Sequence, residues 1–149
     1  MNLNEEVELL KGVPIFSKIE PAKLKLLAFT SERLNFAGGQ EVCHQGDLGD
    51  AMYVILGGTA DVLIDTPGGQ IAVAEMKKNS FFGEIAILCD VPRTATIKAR
   101  ESLATLKISK DMFYRLVAEF PQMAVEIMRE LAHRLEDTNQ KLRAATKAA

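Results

Sequence analysis

The sequence predicts an α+β fold, mainly β, in which a small barrel or sandwich of short strands lies between helices at both ends of the chain. Three observations carry this. The hydrophobic period is helical up to about residue 31 and again from about residue 109, and close to two in between. Paired glycines at 38–39, 57–58 and 68–69 cut the middle into short segments at regular spacing. The chain has 149 residues, 48% of them apolar and 26% charged, which suits one domain with a real core. We therefore read a single domain over 1–149, with N-terminal helices (1–31), a β region (32–108) and C-terminal helices (109–149).

"NLNEEVELLKG" opens on Asn2 and acidic residues, and Val7 and Leu10 give it an apolar face that stops at Gly12. Pro21 suits the first turn of a second helix, "PAKLKLLAFT", with Leu24, Leu27 and Ala28 on one side. From residue 32, "ERLNFAGGQEVCHQGD", "AMYVILGG", "TADVLIDTPGGQ" and "IAVAEM" read as strands, with "DTPGGQ" as a hairpin tip. "TATIKA" and "LATLKIS" resume the pattern, and the even spacing argues against alternating βαβ units. Ser109 is placed to cap "KDMFYRLVAEF", where Met112, Phe113, Leu116 and Val117 share a face. Pro121 opens a long last helix. Along it Ala124, Met128, Leu131, Leu135, Thr138 and Leu142 recur at spacings of 4, 3, 4, 3 and 4, a coiled-coil-like seam with one polar member. This seam predicts a homodimer through the last helix; the alternative is a stripe that packs on the barrel.

A formal net charge of −2 gives no general basic field for nucleic acid, so any bound anion must be held locally. Cys43 and Cys89 have neither metal-site spacing nor the number for a disulfide framework, and read as buried free thiols. No apolar run reaches membrane-spanning length, and the acidic N-terminus is not a signal sequence, so a cytoplasmic location is expected. His44 and His133 stand far apart, which leaves no metal cluster to expect; His44 reads as a turn or core residue. There is no nucleophile with its base and no carboxylate pair for acid–base chemistry, so the expectation is a protein without catalysis.

Residues 81–99, "FFGEIAILCDVPRTATIKA", depart from the surrounding pattern. Gly83 allows a ligand close to the backbone, and "EIAILC" fits one short helix whose first amides, near Ile85 and Ala86, are free. Glu84 at that start suits a ligand hydroxyl. Arg93, just after Pro92, can present two N–H groups to phosphate oxygens. Together they describe a sugar-phosphate site; the plain alternative is an exposed Glu–Arg pair.

This segment resembles the phosphate-binding cassette of cyclic nucleotide-binding domains: F-G-E-(I/L)-A-(L/I)-(L/I), a few variable residues, then P-R-(S/T/A)-A-(T/S). The upstream "EVCHQGDLGDAMYVILGG" is similar to the family's second signature, through Gly46, Asp47, Asp50, "MYVI" and Gly58. The resemblance spans residues 5 to 143 and implies a double-stranded β-helix, or jelly roll, flanked by helices. It implies that Glu84 holds a ribose 2′-hydroxyl and Arg93 the cyclic phosphate, with Gly83, Ile85, Ala86 and Ala95 lining the pocket. Val62, Val73 and Met76 fall where members pack the purine, though each would also serve as barrel interior. One departure is "KKNSFFGE", where many members have a glycine in the turn; Asn79 tolerates the left-handed conformation that such a turn needs.

The resemblance leaves the base open. Thr94 permits cGMP, and Thr or Ser there also occurs in cAMP binders. The last helix resembles the dimerising helix of the bacterial catabolite activator protein, which places Thr138 and Asn139 over an adenine. The expected ligand is therefore cAMP ahead of cGMP, and the expected function a sensor module, like those of catabolite activator proteins and protein kinase A regulatory subunits. The signal would pass through movement of the C-terminal helices about Glu119–Pro121 to an effector that the sequence does not identify. The alternatives are the sensor half of a transcription regulator lacking its DNA-binding domain, since no recognition helix follows the seam, and a degenerate docking or dimerisation module that binds no nucleotide.

Overall fold

The computed structural model describes residues 2–148, and side chains as far as residue 146. Helix α1 (Leu3–Lys11) starts where the Asn2 side chain accepts a hydrogen bond from the Glu5 amide, the N-cap read from the sequence. A 3₁₀ turn (Pro14–Phe16) leads into α2 (Pro21–Thr30). The eight strands follow: β1 (Glu32–Phe36), β2 (Glu41–Cys43), β3 (Ala51–Gly57), β4 (Ala60–Thr66), β5 (Gly69–Met76), β6 (Phe81–Phe82), β7 (Thr96–Ala99) and β8 (Leu103–Ser109). The short helix α3 (Glu84–Cys89) interrupts them between β6 and β7. Ser109 caps α4 (Lys110–Glu119) by accepting from the Met112 amide, and α5 (Pro121–Ala148) closes the chain.

The strands form two four-stranded antiparallel sheets, ordered β1-β8-β3-β6 and β2-β7-β4-β5. This is the jelly roll that the resemblance implied, with helices against one face. Strand β3 shows how the layers are joined. Its Met52, Val54 and Leu56 belong to a core shared with α1, α2, α4 and α5, while Tyr53 and Ile55 belong to a second core between the sheets. A strand buried on both faces has no polar side, which is why "AMYVIL" is continuously apolar. The hairpin tip falls as expected: Thr66 pairs with Gly69 across Pro67-Gly68, and Gly69 takes a positive φ of 117°. Asn79 does adopt the left-handed conformation, with φ 75°.

One expectation needs adjustment. Cys89 is exposed, because it ends α3 on the outer side of the turn, and only Cys43 is partly buried. His44 takes the turn, one of the two places read for it, exposed after β2 with its ring 3.0 Å from the Glu41 carboxylate. Along α5, Met123 and Ile127 enter the helical core, whereas Met128, Leu135 and Leu142 of the seam are more than half exposed. The outer part of the seam thus faces away from the core, while its Leu131 packs against the core beside Ile127. Among the described residues, no helix is long and apolar enough to cross a membrane.

Candidate functional site

A cavity of about 630 Å³ opens between the inner face of the second sheet, α3 and the middle of α5. Its floor is Val62 on β4, Val73 and Met76 on β5 and Ile97 on β7; its cassette side is Gly83, Glu84, Ile85, Ala86, Arg93, Thr94 and Ala95. Thr138 reaches the wall from α5, and Asn139 does not. Eleven of the twelve residues expected at the site therefore share one space. Asn139 lies on the next face of the helix, 100° around from Thr138.

Arg93 is the central feature, only 7% exposed. Its Nη1 donates to the Gly83 carbonyl at 3.1 Å and its Nη2 to the Ala51 carbonyl at 2.8 Å. Among the described residues no carboxylate lies within ion-pair distance of it. Two of five N–H groups are used, and the others remain available to an acceptor. Two glycines shape the slot. A Cβ on Gly49 would come within 2.8 Å of the Arg93 Cζ, and one on Gly83, where φ is 92°, within 2.6 Å of its Nη1. The Tyr53 ring, stacked on Phe82, lies 5.9 Å from the guanidinium carbon and gives it a cation–π contact.

Glu84 is 3% exposed, at the start of α3. Burial pushes its carboxyl above the usual range, and the nearby guanidinium groups of Arg134 and Arg93 pull part of the way back. Arg134 comes from α5 and makes three contacts at once. Its Nη1 meets the Glu84 Oε1 at 3.2 Å, its Nη2 donates to the Phe81 carbonyl at 2.6 Å, and its Nε meets the Glu130 Oε1 at 3.2 Å. Its guanidinium also lies 4.5 Å over the Phe81 ring. This clasp joins the last helix to the cassette. Neither Arg134 nor Gly49 was singled out from the sequence. Arg134 is one charge among many on an exposed-looking helix, and Gly49 sits in a "GDLGD" turn whose tight packing only the fold reveals.

A buried guanidinium with no acidic partner, a buried carboxylate nine residues earlier and an apolar floor beside them make a container for a small anion with a hydroxyl and a flat apolar part. Comparison with known proteins agrees. The family model described as "Cyclic nucleotide-binding domain" matches residues 33–120. The cAMP-dependent protein kinase regulatory subunit of Blastocladiella emersonii is 38% identical over 109 residues, 72% of this chain and 27% of that protein. The Thermus thermophilus catabolite activator protein superposes with a TM-score of 0.77 at 25% identity, over 89% of this chain and 63% of that one. The regulatory domain of Toxoplasma gondii protein kinase A, solved with cAMP, gives a TM-score of 0.76 over 88% of this chain and 50% of that one; at 22% identity the likeness is one of fold. This chain belongs to the cyclic nucleotide-binding domain family. It spans about a quarter of the length of the curated relatives it matches.

Proposed function

We propose that this chain is a sensor domain for a 3′,5′-cyclic nucleotide, with Arg93 holding the cyclic phosphate and Glu84 accepting a hydrogen bond from the ribose 2′-hydroxyl. The observation that carries it is the burial of the Arg93 charge in a glycine-lined slot without a carboxylate. An unpaired buried cation is costly, and a phosphate oxygen relieves that cost with charge-assisted hydrogen bonds. The purine then lies along Val62, Val73 and Met76, beneath Leu135 and Thr138. The kinase regulatory subunits among its relatives are called cAMP-dependent, which supports cAMP as the ligand.

The signal leaves through α5. A ligand hydroxyl on Glu84 acts on the carboxylate that Arg134 holds, so occupancy and the position of the helix are coupled through one side chain. The hinge is Phe120, whose φ of −125° and ψ of 79° end α4 before Pro121 starts α5. The exposed seam of α5 supports a homodimer, or contact with a further part of a longer regulator.

Calorimetric titration of the nucleotide-stripped protein with cAMP and cGMP tests the reading, with Arg93→Ala as the control. Saturable binding at one site per chain is expected, and Arg93→Ala is expected to abolish it while the far-ultraviolet circular dichroism stays that of a folded roll. Absence of binding by the wild-type protein would leave it a docking or dimerisation module.

A further inference from the structure

A buried guanidinium with no carboxylate within ion-pair distance among the described residues must be held toward the cavity by something other than an ion pair. Two hydrogen bonds, to the Gly83 and Ala51 carbonyls, fix part of it. The third neighbour is an aromatic ring: the Arg93 Cζ stands over Tyr53, 5.9 Å from the ring centroid. Tyr53 on β3 lies directly opposite Phe82 on β6 in the antiparallel register. The two rings stack with centroids 5.1 Å apart and planes 15° from parallel, so the strand pairing sets the surface on which the guanidinium rests. A row of three side chains thus runs Phe82, Tyr53, Arg93. Both outer members line the cavity, and Tyr53, between them, does not. Tyr53 is only 7% exposed. Burial pushes its phenol above the usual range, with the Arg93 charge pulling part of the way back, so the ring stays neutral near pH 7.

We propose that Tyr53 is a positioning residue for the ligand phosphate, acting through Arg93, whose charge its ring face holds in place without occupying the N–H groups that the phosphate needs. The inference rests on the cyclic-nucleotide reading of the cavity. An aromatic face and a carboxylate both attract a cation, but they do so differently. A carboxylate takes N–H groups with its lone pairs, so beside Arg93 it would compete with phosphate oxygens for the same donors and cancel the charge that draws them. A ring face attracts the cation through its quadrupole and has no such lone pair to offer. That attraction is larger in a desolvated place such as this one than at a surface. The ring also restricts where the guanidinium can go, so less side-chain freedom is lost when a phosphate binds. Tyr53 belongs as well to the core between the sheets, with Ile55 and Leu103. Leucine would serve that packing role, but it has no ring face to set against a charge.

The test is calorimetric titration of the wild-type chain, Tyr53→Phe and Tyr53→Leu with cAMP and cGMP, joined to phosphorus NMR of the bound nucleotide at saturation. Tyr53→Phe keeps the ring face and is expected to bind within about twofold of the wild type. Tyr53→Leu is expected to weaken both nucleotides about five- to tenfold. It is also expected to move the bound phosphorus resonance toward that of the free nucleotide, a readout that a general loss of stability would not shift. Progressively fluorinated phenylalanine at position 53 preserves the shape of the ring while weakening its face, and is expected to lower the affinity stepwise; this series serves even where leucine prevents folding. Equal losses for Tyr53→Phe and Tyr53→Leu, an unmoved phosphorus resonance, or an affinity indifferent to fluorination would overturn the assignment and leave the nucleotide site standing. Failure of the wild-type chain to bind either nucleotide would overturn both.

Discussion

At the scale of single residues, Glu84 sets a pH dependence whose sign follows from its surroundings. Burial holds its carboxyl above the ordinary range, so the folded chain binds that proton more tightly than the unfolded chain does. Its contribution to stability is therefore full below the usual carboxylate pKa and is lost as pH rises through the raised value. Ligand affinity runs the other way. A ribose hydroxyl donates best to the ionised form, so binding weakens as pH falls through the raised value. Titrations from pH 7 downward are expected to show this fall, and Glu84→Gln, weaker throughout, is expected to flatten it. Glu84 and Arg93 were both legible in the sequence, because the cassette fixes their spacing and Gly83 and Pro92 mark the backbone on either side. Gly49 and Arg134 were not. What makes each matter is a neighbour 44 or 50 positions away, Arg93 for one and Glu84 for the other, and no local pattern records such a contact.

At the scale of elements, the starts of α1, α2, α4 and α5 and the end of α1 follow from local chemistry. Asn2 and Ser109 cap their helices, Pro21 and Pro121 begin theirs, and Gly12 ends α1. The position of α5 against the roll does not follow from such signals, since it depends on where its seam, its core stripe and Arg134 each find a surface. The clasp predicts how firmly that position is held. Arg134→Ala removes the partner of a buried carboxylate and two further contacts, and is expected to cost about 1–3 kcal/mol. Hydrogen exchange would locate the loss: amides of residues 130–140 are expected to exchange faster in the variant, with β3 and β8 unchanged. Uniform protection across α5 would mean that Met123 and Ile127 alone hold it.

At the scale of the whole molecule, the exposed seam makes association the main question. Met128 is 59% exposed and Leu135 63%, on a helix whose other apolar stripe is already in the core. Sedimentation velocity across a range of concentrations is expected to show a reversible dimer, and Met128→Asp, away from the cavity wall, to leave a monomer that still binds nucleotide; a wild-type monomer at every concentration would assign the seam to another partner. The length of α5 has a mechanical consequence as well. Its 28 residues make a rod of roughly 42 Å, anchored near Phe120 and gripped about midway by Arg134. A pivot of about 10° at the base of such a rod sweeps its tip through about 7 Å, against less than half of that at the grip. In the proposed switch the side chains at the grip need shift only by about the length of a bond or two, while whatever meets the far end is presented with a displacement wide enough to open or close an entire contact.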